Sequence, residues 1–349
     1  MKPSEIYQIL NEEFLSQDIG QNESHHTPVM IWGPPGVGKS QIVADIANKH
    51  LVPLVDIRLS QIEPSDLRGI PFRVNQTVEW AIPDMLPNTY KHGRYGILFL
   101  DEINAAPPSV SSAAYQLILD RRIGNYSLPD GWVIFAAGNR QGDRGITYSM
   151  PSPLANRFSH YTLDVDLNDW TQWAFLNGID ERIIAFLRFR PELLFDFNPD
   201  ENPIAFPSPR TWEFAHRALK KFDNHPSLLL GALQACVGEV SGIEASAFIE
   251  NFNKIPDIEL ILAGHDVEVP ETIDLQYAVA AALIARAAKD KNNQQALGNI
   301  LNYAKKFPQK EMGIMLVSDL QRVVGQQIFQ VPEFPDWANI VADIMFYHD

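Results

Sequence analysis

Eight residues carry the densest chemical signal in the chain. Gly33-Pro34-Pro35-Gly36-Val37-Gly38-Lys39-Ser40 fits the pattern G-x-x-x-x-G-K-[ST] at every fixed position. Glycines let a loop curl until successive N–H groups face one centre, and a helix that starts at the loop's end adds the positive end of its dipole to that anion nest. In such a nest Lys39 reaches the β- and γ-phosphates of a nucleotide, and the Ser40 hydroxyl takes a magnesium ion bridging the same oxygens. The candidate nucleotide-binding residues are therefore Gly33, Pro34, Pro35, Gly36, Val37, Gly38, Lys39, Ser40 and Gln41. A second group is Asp101 and Glu102, adjacent carboxylates that close the apolar run Ile97-Leu98-Phe99-Leu100. A strand ending in acids places them at the carboxyl edge of a parallel sheet, where a phosphate loop also lies. Asp101 would hold the magnesium through its water shell, making Ser40 and Asp101 the metal residues. Glu102 would accept a proton from, or orient, the water that attacks the γ-phosphate. A third candidate is Asn139, a polar amide at the tip of the run Trp132 to Ala137, placed to position that water.

Such residues need a sheet to bring them together. Alternation of strand-like and helix-like segments from Val29 to about Val165 predicts an α/β fold with a mainly parallel five-stranded sheet. The expected strands are Val29 to Trp32, Val52 to Ile57, Gly96 to Leu100, Trp132 to Ala137 and His160 to Val165. Ile42, Val43 and Ile46 recur at helical spacing after the glycine loop, and Val110, Ala113, Ala114, Leu117 and Ile118 do so after Pro107-Pro108. A hairpin is expected between Arg121 and Asp130. Beyond Asn168 helices dominate: Asn168 or Asp169 is the expected cap of the first, Asn177-Gly178 its end, and Ser208 the start of a later block. The expected domains are 1–166 (a nucleotide-binding core with an N-terminal helix over 3–16), 167–300 (an α-helical lid) and 301–349 (a C-terminal helical extension).

Composition narrows the function. Twenty-eight basic against 43 acidic residues give a formal charge of −15, which disfavours a polyanionic partner when no basic stripe is present, so nucleic acid is not the expected ligand. Arg121-Arg122, Lys220-Lys221 and His25-His26 read as solvated surface. A lone cysteine, Cys236, fits a reducing compartment and offers no nucleophile signal. No apolar run approaches membrane-spanning length, and the start of the chain lacks a signal pattern, so a cytoplasmic location is expected.

Further motifs add a resemblance. Pro153-Leu154-Ala155-Asn156-Arg157-Phe158 precedes the expected fifth strand. A phosphate loop, an Asp-Glu strand end, an asparagine strand tip, an arginine before the last strand and then helices resemble, in this order, an AAA+ ATPase, the P-loop NTPase class with a three-layer core and an all-α lid. Within it, Asp101-Glu102-Ile103-Asn104 with Ala106-Pro107-Pro108, Asn156-Arg157-Phe158 and Pro64-Ser65-Asp66-Leu67-Arg68-Gly69 resemble the MoxR-like branch. The resemblance implies ATP and Mg2+ as cofactors and a homo-hexameric ring. In it Arg157 would enter a neighbouring subunit's site, and Arg210, in Ser208-Pro209-Arg210-Thr211, would touch the γ-phosphate from the lid. It also implies remodelling of a protein client, with a von Willebrand factor A-type partner. Two insertions, near Ser60 to Pro87 and Arg121 to Asp130, would expose Phe72, Trp80 and Tyr126 to that client. The chain departs from the branch at Ala105 and Arg140, and the run Arg140-Gln141-Gly142-Asp143-Arg144-Gly145 leaves Arg140 and Arg144 as alternatives to Arg157. A nucleic-acid translocase, a nucleotide switch with little turnover, and GTP in place of ATP stay open at this level.

Overall fold

A computed structural model describes residues 1–16, 26–140, 142–143, 148–201 and 203–346, with side chains to 340. The chain divides into two compact units, Met1–Val165 with Pro199–Glu201, and Asp166–Asn198 with Asn202–Asp349.

The first unit is an α/β domain. Its five-stranded sheet consists of β1 (Val29–Trp32), β2 (Leu54–Arg58), β5 (Gly96–Asp101), β8 (Trp132–Gly138) and β9 (Ser159–Thr162), all parallel, in the order β2-β5-β8-β1-β9. Every residue of β5 and β8 is buried, as expected of central parallel strands covered on both faces, whereas the edge strands β2 and β9 are partly exposed. Between them run two small hairpins, β3 (Ile70–Val74) with β4 (Thr77–Ala81), and β6 (Arg122–Ile123) with β7 (Tyr126–Ser127). The helices of this unit are α1 (Pro3–Leu15), α2 (Lys39–His50), α3 (Pro64–Arg68), α4 (Thr89–His92), α5 (Pro108–Asp120) and α6 (Ser152–Ala155). Ile42, Val43 and Ile46 of α2 and Val110, Ala113, Ala114, Leu117 and Ile118 of α5 are buried, so both helices turn the expected faces to the core.

Several expectations are corrected. The second strand begins at Leu54 because the Val52 N–H is still bonded to the Ala47 carbonyl at the end of α2. The last strand spans Ser159–Thr162 because its partner β1 offers only four residues, the pairing ending at Trp32 opposite Thr162. His26 is not a surface residue: its side chain is 1% exposed and its Nε2 accepts a 2.9 Å bond from the Ile134 N–H of β8. Arg121 is partly buried, donating to the carbonyls of Pro129 (2.8 Å) and Trp132 (2.7 Å) and so fastening the second hairpin. Tyr126 lies in the core with its hydroxyl donating to the Pro87 carbonyl, whereas Phe72 and Trp80 are exposed on the first hairpin.

The second unit is helical: α7 (Leu167–Leu176), α8 (Glu181–Phe189), α9 (Pro209–Phe222), α10 (Pro226–Val237), α11 (Glu239–Phe252), α12 (Ile258–Leu262), α13 (Ile273–Lys289), α14 (Gln294–Ala304), α15 (Lys310–Val324) and α16 (Phe334–Phe346). The cap of α7 is Asp166, which accepts from the Asp169 N–H at 2.9 Å; Asn168 instead accepts from Arg188. Arg188, on α8, also pairs at 2.5 Å with Asp319 of α15, where Arg322 adds a second bond of 3.0 Å. Burial pushes the Asp319 carboxyl up and its two arginines oppose that shift. Cys236 is half-buried, and burial raises its thiol pKa, which leaves it a poor nucleophile. Among the described residues no helix is long and apolar enough to cross a membrane.

The His26 contact makes stability pH-dependent. With Nε2 accepting, the proton of the neutral ring is on Nδ1, which has no hydrogen-bond partner; the Glu13 carboxylate stands 3.8 Å away. Desolvation holds the ring's pKa below its usual value, and Glu13 only partly offsets it. The unfolded chain therefore binds a proton that the folded chain refuses, so stability falls as pH drops below about 6.5. His26→Gln should melt with a shallower loss of stability between pH 7 and 5 than wild type, the difference approaching about 1.4 kcal/mol per pH unit for one proton. Parallel melting curves for the two proteins would contradict this assignment.

Candidate nucleotide site

The loop between β1 and α2 is shaped by two left-handed glycines, Gly36 at φ 82° and Gly38 at φ 98°. Gly38 is the N-cap of α2 and offers no capping side chain, as suits a helix start that receives an external anion. A Cβ added to Gly38 would meet no atom within 4 Å, so the demand for glycine there comes from the backbone conformation.

Three motifs distant in sequence converge on this loop. Lys39 Nζ donates to the carbonyls of Gly33 (2.7 Å) and Pro34 (2.9 Å) and to Asn139 Oδ1 (3.1 Å). Ser40 Oγ donates to Asp101 Oδ2 at 2.9 Å, and the other Asp101 oxygen accepts the Glu102 N–H at 2.8 Å. Glu102 occupies the left-handed region at φ 56°, unusual for a non-glycine residue and an expected location of functional strain. Its side chain is half-buried and accepts a short hydrogen bond from the Ser60 hydroxyl. Asp56 on β2 stands near both acids; burial first, then the charges of Asp101 and Glu102, raise its pKa. Carboxylates crowded this way favour a cation.

The residues fit a magnesium ion on those grounds. A serine hydroxyl and a nine-tenths buried carboxylate in mutual contact supply two hard oxygen ligands, the sparse protein set that suits a metal otherwise held by phosphates and water. Among the described residues no cluster of three or more His, Cys, Asp or Glu side chains forms a self-contained metal site.

The arginines differ. Arg157 follows α6, is exposed and makes no side-chain hydrogen bond or ion pair among the described residues. Arg140 is tied within its own chain, its guanidinium donating to Asp143 at 3.1 Å and lying 3.9 Å from Asp164. Gln141, Arg144 and Gly145 lie outside the described residues. Arg210 belongs to the helical unit, exposed in the first turn of α9, where Ser208 and Thr211 form a reciprocal cap with bonds of 3.2 and 2.8 Å. Gly33, Pro34, Pro35, Val37 and Gln41 complete the loop and the first turn of α2, with Gln41 turned outward to Asp45.

Two further residues of the site have no role that residue type and spacing assign. Ser60 sits at the start of the first insertion, and only the fold places it on Glu102. Asn104 closes the run Asp101-Glu102-Ile103-Asn104, and its side chain grips the backbone of Asn139.

Residues 29–162 match the family model described as ATPase family associated with various cellular activities (AAA). The matched stretch spans the sheet and all of the converging site residues of the first unit. Midasin of Giardia intestinalis is 30% identical over 158 residues, which is 43% of this chain and only 3% of midasin. Two point mutants of RuvB from Thermotoga maritima align at 17% identity over 82% of both chains with a TM-score of 0.38, and at 14% identity over 94% of this chain and 85% of that one with a TM-score of 0.35.

Lys39→Ala should weaken binding of a fluorescent ATP analogue about 10- to 100-fold, the cost of losing charge-assisted hydrogen bonds to phosphate, with an unchanged circular dichroism spectrum. Wild-type affinity in that variant would remove Lys39 from the site.

Proposed function

We propose that this chain is an ATP-hydrolysing AAA+ subunit of the MoxR-like type that works as a homo-hexameric ring and remodels or activates a protein client. The convergence of Lys39, Ser40, Asp101, Glu102 and Asn139 on one sheet edge carries the reading.

The loop N–H groups from Gly36 to Ser40 and the Lys39 ammonium bind the phosphates. Magnesium held through Ser40 and Asp101 would neutralise charge on the β- and γ-phosphate oxygens. Glu102 takes the proton of the attacking water, a role that contributes about 10²- to 10⁴-fold. Asn139, already on Lys39, orients the same water toward the γ-phosphate. Arg157, exposed and without a side-chain partner among the described residues, is suited to complete a neighbour's site, whereas the tether of Arg140 to Asp143 argues against that role for Arg140. An arginine acting in trans contributes about 10³- to 10⁵-fold. Arg210 of the helical lid senses the γ-phosphate. Residues 1–166 are the core in this reading, 167–300 the lid and 301–349 an extension.

The output is movement of the lid and insertions on phosphate release. Phe72 and Trp80 on the first hairpin are suited to grip a client, with a von Willebrand factor A-type partner directing it; Tyr126, buried, is not. Acidic net charge weighs against a nucleic-acid track.

ATP turnover followed against protein concentration, with mass photometry on the same samples, tests this. Specific activity should rise with ring assembly, and Arg157→Ala should lose about three orders of magnitude while its rings persist. Concentration-independent turnover by a monomer, indifferent to Arg157, would refute the shared site.

A further inference from the structure

We infer that Asn104 is a positioning residue for the proposed hydrolysis, holding Asn139 in register with the Asp101-Glu102 turn without touching nucleotide. The inference rests on the ATPase reading above and adds to it a role for Asn104, a residue of the Asp101-Glu102-Ile103-Asn104 run to which that reading gives none. Asn104 Nδ2 donates to the Asn139 carbonyl at 2.7 Å, and Asn104 Oδ1 accepts the Asn139 N–H at 3.2 Å. The side chain is 6% exposed. Asn139 lies just past the end of β8, and the carboxamide gives it the donor-acceptor pair that a neighbouring strand would otherwise supply. Only a side chain with both a donor and an acceptor at this length can do so: aspartate lacks the donor, leucine lacks both.

The surrounding backbone tightens the same joint. The Ile103 N–H donates to the Ala137 carbonyl at 3.0 Å, and the Tyr148 N–H to the Asn104 carbonyl at 2.7 Å. A Cβ on Gly138 would fall 2.5 Å from Asn104 Oδ1, so the approach depends on glycine there. Glu102 is two residues before Asn104 in this turn, and Asn139 Oδ1 accepts from Lys39. One hydrogen-bonded path therefore runs from the turn of the general base, through Asn104 and Asn139, to the lysine of the phosphate loop. Without Asn104 two polar backbone groups lose their partner and the Asn139 side chain is free to shift relative to Glu102.

The test combines steady-state kinetics with binding of a fluorescent ATP analogue in Asn104→Asp, Asn104→Leu and Gly138→Ala, each alone and with Asn139→Ala. A misplacement on the order of 1 Å costs about 10²-fold in rate. Each single variant should therefore lose about 10- to 100-fold in kcat, with KM and analogue affinity within about threefold of wild type. With Asn139→Ala present, the second substitution should cost less than about twofold, because no side chain remains to be positioned. The near-isosteric aspartate keeps the test valid should the leucine variant fail to fold. Wild-type kcat in Asn104→Asp, or losses that multiply in the double variants, would overturn the inference. So would full turnover in Asn139→Ala beside inactive Asn104 variants, an outcome that leaves the ATPase reading standing.

Discussion

Parallel pairing of β1, β5 and β8 fixes where the reactive groups can stand. Trp32 lies opposite Gly138 and Leu100 opposite Ala136, so these strands end level with one another at their carboxyl edge. Beyond that edge stand the glycine loop, the acid pair and Asn139, and the 2.9 Å Ser40–Asp101 and 3.1 Å Lys39–Asn139 contacts follow from the register. Side chains alternate with period two, so a slip of one residue would exchange the two packed faces of β5 or β8. The precision of the site is in this sense borrowed from the apolar core beneath it.

The same edge concentrates cost. Gly36 and Gly38 take left-handed conformations, Glu102 takes one without the freedom of glycine, and Asp56, Asp101 and Glu102 bring negative charge into one neighbourhood. The left-handed turn at Glu102 opposes folding by about 1 kcal/mol or more and persists because the surrounding strands over-determine it, whereas glycine enters that region without strain. Each of these features would acquire a use in the proposed site: the glycines would turn N–H groups to phosphate, the crowded carboxylates would favour a cation, and the turn at Glu102 would set a base beside its water. The Ser60 hydroxyl meanwhile occupies one Glu102 oxygen and joins that residue to the insertion that carries Phe72 and Trp80.

The parts governed by local pattern were legible in the sequence. The phosphate loop has fixed residue types, the central strands are unbroken apolar runs, and α2 and α5 show helical periodicity. Edges were less so, since the ends of β2 and β9 depend on which partner claims a backbone group: Val52 goes to α2, and β9 stops where β1 does. The β3–β4 hairpin escaped because its residues are exposed on both faces, which erases the alternation that marks a half-buried strand. His26, Tyr126, Ser60 and Asn104 acquire their roles only by tertiary contact. No spacing in the sequence announces that an imidazole will accept from a strand or that an amide will clamp another residue's backbone.

The central claim is that Glu102 activates water against a phosphate held by Lys39 and Ser40. Single-turnover quench-flow, with enzyme in excess over radiolabelled ATP and magnesium, reads that step directly in wild type and Glu102→Gln. The account predicts that both proteins bind the nucleotide, that wild type converts it fully, and that the variant is slower by about 10²- to 10⁴-fold. Hydrolysis by Glu102→Gln at the wild-type rate would contradict it.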